Sequence, residues 1–333
     1  MRRVVPATIL AVTLCLAACG HGSTTARPAP SVSPAPTESS GGRSPSSDPA
    51  PTHVTATTVP WRLTVPSARQ ALIPLGGTKV MVAGGMLAGD SSTAEVRRID
   101  LSTGRSRPAP QLAVPVHDAA GGPYAGHPAV FGGGNASEQS LVQSLVGTRW
   151  RRVDAFPTTR SDLSVVRLPG STLALGGYDG TAVPRPIYLQ HGAHGLRQVG
   201  RLVQGVRYAA TAAVGSAVYV FGGEVDHAEL SAVQRVDVPT GRTRVVARLP
   251  RALGHAMAAT VSGRVLLMGG HPDPVTRTRA IWWFDPATAR FTRAGRLPRA
   301  LSDAAVAVTG STVWLLGGED PGVTDRVVRL DVR

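Results

Sequence analysis

Lysine is almost missing from this sequence. Lys79 is the sole example in 333 residues, although basic side chains number 35 against 21 acids and the formal net charge is +14. The positive charge is therefore arginine, and the arginines are scattered singly. They are not gathered in the blocks that mark tails binding nucleic acid. Such scatter implies a solvated shell with weak attraction to anionic surfaces, and no nucleic-acid partner is expected. Cysteine is scarce too. Cys15 and Cys19 are the only two, both within the first twenty residues, so the remainder must be held by its core and not by disulfides. Also absent are the Walker loop, the Rossmann fingerprint, the Gly-x-Ser-x-Gly elbow and the His-Glu-x-x-His helix, which removes the signatures of several large enzyme classes. His191 and His194 fall in a predicted turn that solvation alone explains, so no metal is expected. No cofactor is expected either.

The N-terminus reads as an address. Met1-Arg2-Arg3 is a positive segment, and Val4 to Ala18 is an apolar run too short to span a bilayer comfortably. It ends Leu16-Ala17-Ala18-Cys19, which resembles the lipobox of bacterial lipoproteins. That resemblance implies a signal over 1–18, lipid on Cys19, and an extracytoplasmic protein held to the cell membrane by its lipid. Residues 19–57 are Pro, Ser, Thr, Ala and Gly with almost no large apolar side chain. Such a composition cannot offset its ordering entropy by burial, so a disordered tether is expected.

From residue 58 to 333 the sequence repeats. An apolar run closing on Gly-Gly recurs, as in Val80-Met81-Val82-Ala83-Gly84-Gly85 and Val265-Leu266-Leu267-Met268-Gly269-Gly270. The second glycines stand at 85, 133, 177, 223, 270 and 318. Six copies at this spacing indicate a repeat architecture. Within a unit, turn signals separate four short strands, an antiparallel meander. The first strands, such as Ala209 to Val214 and His255 to Thr260, are continuous small apolar runs, as expected of strands crowded near an axis. The fold class expected is thus all-β, a six-bladed β-propeller of four-stranded blades. Pro60 to Pro66 lacks three strands before it, and Arg326 to Arg333 lacks a fourth after it. The N-terminal strand is therefore expected to complete the sixth blade, with Trp61 beside Val327.

The Gly-Gly strands, followed loosely by Trp150, Trp282, Trp283 and Phe284, resemble kelch repeats. The resemblance covers 60–333 and implies the propeller fold, but it leaves function open, because kelch propellers serve enzymes, scaffolds and receptors alike. The copper-radical oxidases with kelch-like propellers need a cysteine cross-linked to a tyrosine, and this chain offers none beyond its first twenty residues.

Candidate site residues follow from the repeat. Counting back 14 residues from each first glycine gives Gln70, Asp118, Asp162, Tyr208, His255 and Asp303, all polar and all expected to ring the channel mouth. The loops after the doublets bring Asp179, Glu224, His271 and Glu319 to the same face, where variable loops commonly bind. The expected function is a lipid-anchored, monomeric module that binds or scaffolds a protein or glycan partner, without a requirement for catalysis. The alternative is a carbohydrate-active enzyme similar to sialic-acid mutarotases, using His255 with Asp303 and Asp118 with Asp162 as acid/base pairs.

Overall fold

The computed structural model describes residues 53–333. The expected signal, Cys19 and the tether up to residue 52 lie outside the described residues. What is described is all strand and turn, with no helix among the described residues. Six four-stranded antiparallel sheets follow one another along the chain. Blades one to five span residues 71–109, 120–155, 161–201, 210–248 and 257–296, and blade six takes residues 305–332. A two-stranded hairpin, Glu224–Val225 with Ala228–Glu229, stands out from blade four.

Blade five shows why the sequence folds this way. Met257–Val261, Arg264–Met268, Ala280–Asp285 and Arg290–Arg296 pair in chain order. Apolar residues fill the second strand because both faces of the sheet are covered by neighbouring blades, and Val265 to Met268 are fully buried. The small first strands of the blades line a central channel of about 550 Å³, walled by Ser164, Thr211, Ala213, Ala258 and Val306 among others. Six hydrophobic clusters hold the ring, and each joins residues of two adjacent blades. The core is therefore a circle of six interfaces, not a single centre.

The Gly-Gly doublet staples each interface. Both glycines adopt positive φ in every unit. In each blade the second glycine donates its N–H to a carbonyl of the next blade, as Gly270 does to Leu301 and Gly318 to Ser67, at 2.7–2.9 Å. A Cβ on the first glycine would collide with that same carbonyl, and one on the second would press against the next-to-first-strand residue, Ala256 at 2.8 Å in blade five. Only glycine meets the conformational and the steric demand together.

Blade six is completed by the N-terminus, but by a different stretch from the one expected. The closing strand is Val54–Thr58, in register with Val328 to Val332, and so begins inside the segment expected to be tether. Trp61 lies beyond the strand, facing Gly104 and, at a centroid distance of 6.2 Å, Trp314. Pro60 ends the run, since it has no N–H to offer the ladder. Leu63 then takes the buried place that Leu202, Leu249 and Leu297 take after their own strands. The closing strand escaped the compositional reading because of its five side chains only Val54 is buried.

Candidate functional site

Six residues close a circle around the channel mouth: Arg69, Asp118, Asp162, Tyr208, His255 and Asp303. Each donates its backbone N–H to the carbonyl of its counterpart in the preceding blade, at 2.8–3.2 Å, and the sixth bond runs from Arg69 back to Asp303. All six sit in the left-handed region, with φ between 51° and 58°. Aspartate and histidine tolerate that region better than most residues, which partly explains their abundance here. Their side chains meet at one point for this backbone reason, whatever else they do.

Gln70 is not in the circle. Its amide donates to Leu316 O at 2.8 Å in the interface between blades six and one, and Arg69 holds the sixth place. The first hairpin of blade one carries an extra residue: the register slips between Pro74 and Gly76, leaving Leu75 bulged. Counting from the glycine therefore lands one residue late in that blade alone.

The other loop candidates divide. Glu224, His271 and Glu319 each follow a doublet and pair with the residue before a circle member, Arg207, Gly254 and Ser302 respectively. They form a second tier around the mouth. Asp179 does not join them. Its carboxylate is exposed and accepts from Thr181 and Ala182, folding its own loop.

His255 is the centre of the cluster. Its Nδ1 lies 2.7 Å from Asp303 Oδ1 and its Nε2 3.3 Å from Glu224 Oε2. Its ring is stacked between Tyr208 at 3.9 Å and His271 at 4.5 Å. Burial works against its charge, but Asp303 and Glu224 outweigh burial and bring it up to about 9, so it is an imidazolium at neutral pH. Burial likewise disfavours the Asp303 carboxylate, yet His255 and Arg69 hold it well below the usual range. Arg69 reaches Glu319 at 3.0 Å, Asp118 at 3.4 Å and the Tyr208 hydroxyl at 3.3 Å. Arg277 meets Glu319 at 2.5 Å. Arg207 bridges Asp162 at 3.5 Å and Glu224 at 3.4 Å, with its guanidinium over the rings of Tyr178 and Tyr208.

On the other side of the channel the balance is different. Burial pushes Asp118 up to about 6 although Arg69 pulls the other way. Burial and then Asp118 push Asp162 up to about 7. His271, Asp303 and Glu319 each offer a ligand atom within 4.8 Å of the others, as a cation would require. Arg69, Arg277 and the charged His255 already hold two of these carboxylates, however, and would repel a metal ion.

Arg69, Arg207 and Arg277 are the mouth residues that the spacing argument missed. Arg207 could have been found, because the residue before each circle position faces the residue after a doublet. Arg277 lies in a loop of irregular length, where spacing carries no signal.

A six-bladed propeller built on interblade Gly-Gly staples, with one polar mouth, is the class these features define. The family model described as Kelch motif matches residues 252–298, which is the fifth blade together with its lead-in, and that motif sits in a six-bladed propeller. Comparison with curated proteins gives no match.

Proposed function

We propose that this kelch-type propeller is a binding module, carried outside the cytoplasm on a lipid attached at Cys19, which captures a protein or glycan partner on its loop-bearing face. The propeller fold and its kelch motif support a binding or scaffold role. One observation speaks against His255 as the base of a catalytic pair and so favours binding: both of its ring nitrogens are held by carboxylates. A general base needs a free nitrogen lone pair within reach of substrate, and this imidazolium has none. What the face does offer is a cavity of about 470 Å³ between blades three and four, with Tyr178, Gln204, Arg207, Asp226 and His227 in its wall. Aromatic and planar polar side chains of this kind suit a hydroxyl-rich or peptide ligand.

The test is a comparison of two variants of the full chain in membranes. Asp226→Ala with His227→Ala, at the tip of the blade-four hairpin, removes photocrosslinked partner from the propeller, while His255→Gln leaves it in place. Sugar turnover lost in a folded His255→Gln protein would instead mean an enzyme. Anchoring is tested separately, since Cys19→Ala moves the chain from the membrane fraction to the soluble one. Retention in the membrane overturns the lipid assignment.

A further inference from the structure

The outermost strands of blades one to five carry eleven arginines: one in Ser106–Ala109, three in Arg149–Ala155, two in His194–Arg201, two in Thr243–Arg248 and three in Arg290–Arg296. All eleven are exposed. None of them pairs with a carboxylate among the described residues, where every arginine ion pair involves some other arginine. The only acid on these five strands is Asp154, and it is already occupied by the Tyr124 hydroxyl and the backbone N–H of Leu196. The outer strand of blade six, Val54–Thr58, carries no charge.

Protection of sheet edges does not account for this pattern. A charge of either sign keeps an edge strand from pairing with another copy. With 35 basic and 21 acidic residues in the chain, indifference to sign would place roughly four or five acids among those twelve charged positions; there is one. Asp118, Asp162, Glu224, Asp303 and Glu319, whose side chains are buried, lie instead at the mouth, where each meets a basic side chain. Charge is thus segregated, neutralised on the axis and uncompensated on the rim.

We infer that the rim is a track for a flexible anionic polymer, one whose phosphate or carboxylate groups recur every few ångströms. Guanidinium forks match both groups in a bidentate way. Alternate residues on an extended strand stand about 7 Å apart, a spacing that successive monomers of such a polymer can follow. The shape decides between a polymer and a membrane surface. A planar bilayer touching the edge of a disc meets one or two blades and leaves the other arginines in water. A pliable chain bends around five blades, and the uncharged closing strand marks where the track stops.

The experiment titrates the full chain, as a Cys19→Ser variant so that lipid does not itself drive vesicle binding. The probes are inorganic polyphosphate, polygalacturonate, duplex DNA and phosphatidylglycerol vesicles, each at several salt concentrations. Either flexible polymer binds, and the two arms tell a phosphate track from a carboxylate one. The triple change R149Q/R151Q/R152Q weakens that binding about tenfold at low salt and lowers the slope of log K against log salt by about 2, since each engaged charge contributes roughly 0.7. R290Q/R293Q/R296Q does the same from another blade, and arginine-to-lysine triples retain most of the slope. Equal or tighter binding to stiff duplex or to vesicles overturns the inference. So does polymer binding that neither triple weakens.

Discussion

The mouth and the rim of this propeller hold the same kinds of charged side chain in opposite states. At the mouth Arg69, Arg207 and Arg277 each contact at least one carboxylate, in a setting where the side chains of Asp303 and His255 are 5% and 7% exposed. On the rim, arginines stand in water with no partner of opposite sign. The difference teaches that position in a blade, not composition, sets what a charge does. Near the axis six left-handed residues are forced together, and a lone charge there would be unsustainable. At the outer strand nothing forces a charge to be paired.

The largest effect is expected where the mouth is opened. Asp303→Ala removes the carboxylate that holds Nδ1 of His255 and also lies near Arg69. An imidazolium is then left buried with half its pairing gone. Breaking a buried ion pair on one side costs about 3–5 kcal/mol, which urea denaturation measures directly. Asp303→Asn keeps the shape, so it separates lost charge from lost packing. A loss below about 1 kcal/mol, the level of exposed pairs, would place the mouth in the same class as the rim.

The pH dependence of stability is the next effect, and its sign is fixed by three groups. Asp118 and Asp162 have folded values raised above 3.8, to about 6 and about 7, and His255 is raised from 6.5 to about 9. Each binds its proton more tightly in the folded chain, so each contributes stability that is complete at lower pH and is lost as pH rises through the folded value. Asp303 and Glu224 are lowered and act oppositely, losing their contribution as pH falls below the carboxylate range. Stability is therefore expected to peak at about pH 4, between the lowered and the raised carboxylates, and to fall steadily towards about pH 9. Asp162→Asn mimics the protonated acid. It should flatten the curve between about pH 4 and 7 and leave the variant more stable than the parent at pH 8. A rising curve over that range would mean that the two carboxylates are ionised without penalty.

Much of the architecture was legible because the Gly-Gly staple needs the same two residues in every blade, and a strict local requirement leaves a periodic trace. Asp118, Asp162, Tyr208, His255 and Asp303 were found by spacing for the same reason. Arg69 was displaced by a single bulged residue at Leu75, an irregularity with no periodic signature. The closing strand was hidden because Val54–Thr58 needs only one buried side chain when its partner strand supplies the rest. The pairing at the mouth was not legible at all. His255 meets Asp303 across 48 residues and Glu224 across 31, and such contacts exist only once the ring has closed. Arginines that look scattered along the sequence became a belt for that same reason.

The smallest effect is the one that isolates the rim. Exposed side chains without partners contribute little to stability, so R149Q/R151Q/R152Q should change the unfolding free energy by no more than about 0.5 kcal/mol. Its sign is informative. Removing like charges from a chain of net charge +14 relieves self-repulsion, so the triple variant should be slightly more stable than the parent at low salt. Raising salt screens the same repulsion in the parent. Its melting temperature should therefore climb by a degree or so between about 20 and about 200 mM salt, and the variant should climb less. The mouth pairs are shielded from ions by burial, so Asp162→Asn should leave this salt response intact. A triple variant that loses stability, or whose salt response matches the parent's, would show that the rim arginines have folded-state partners and that the contrast between the two regions is false.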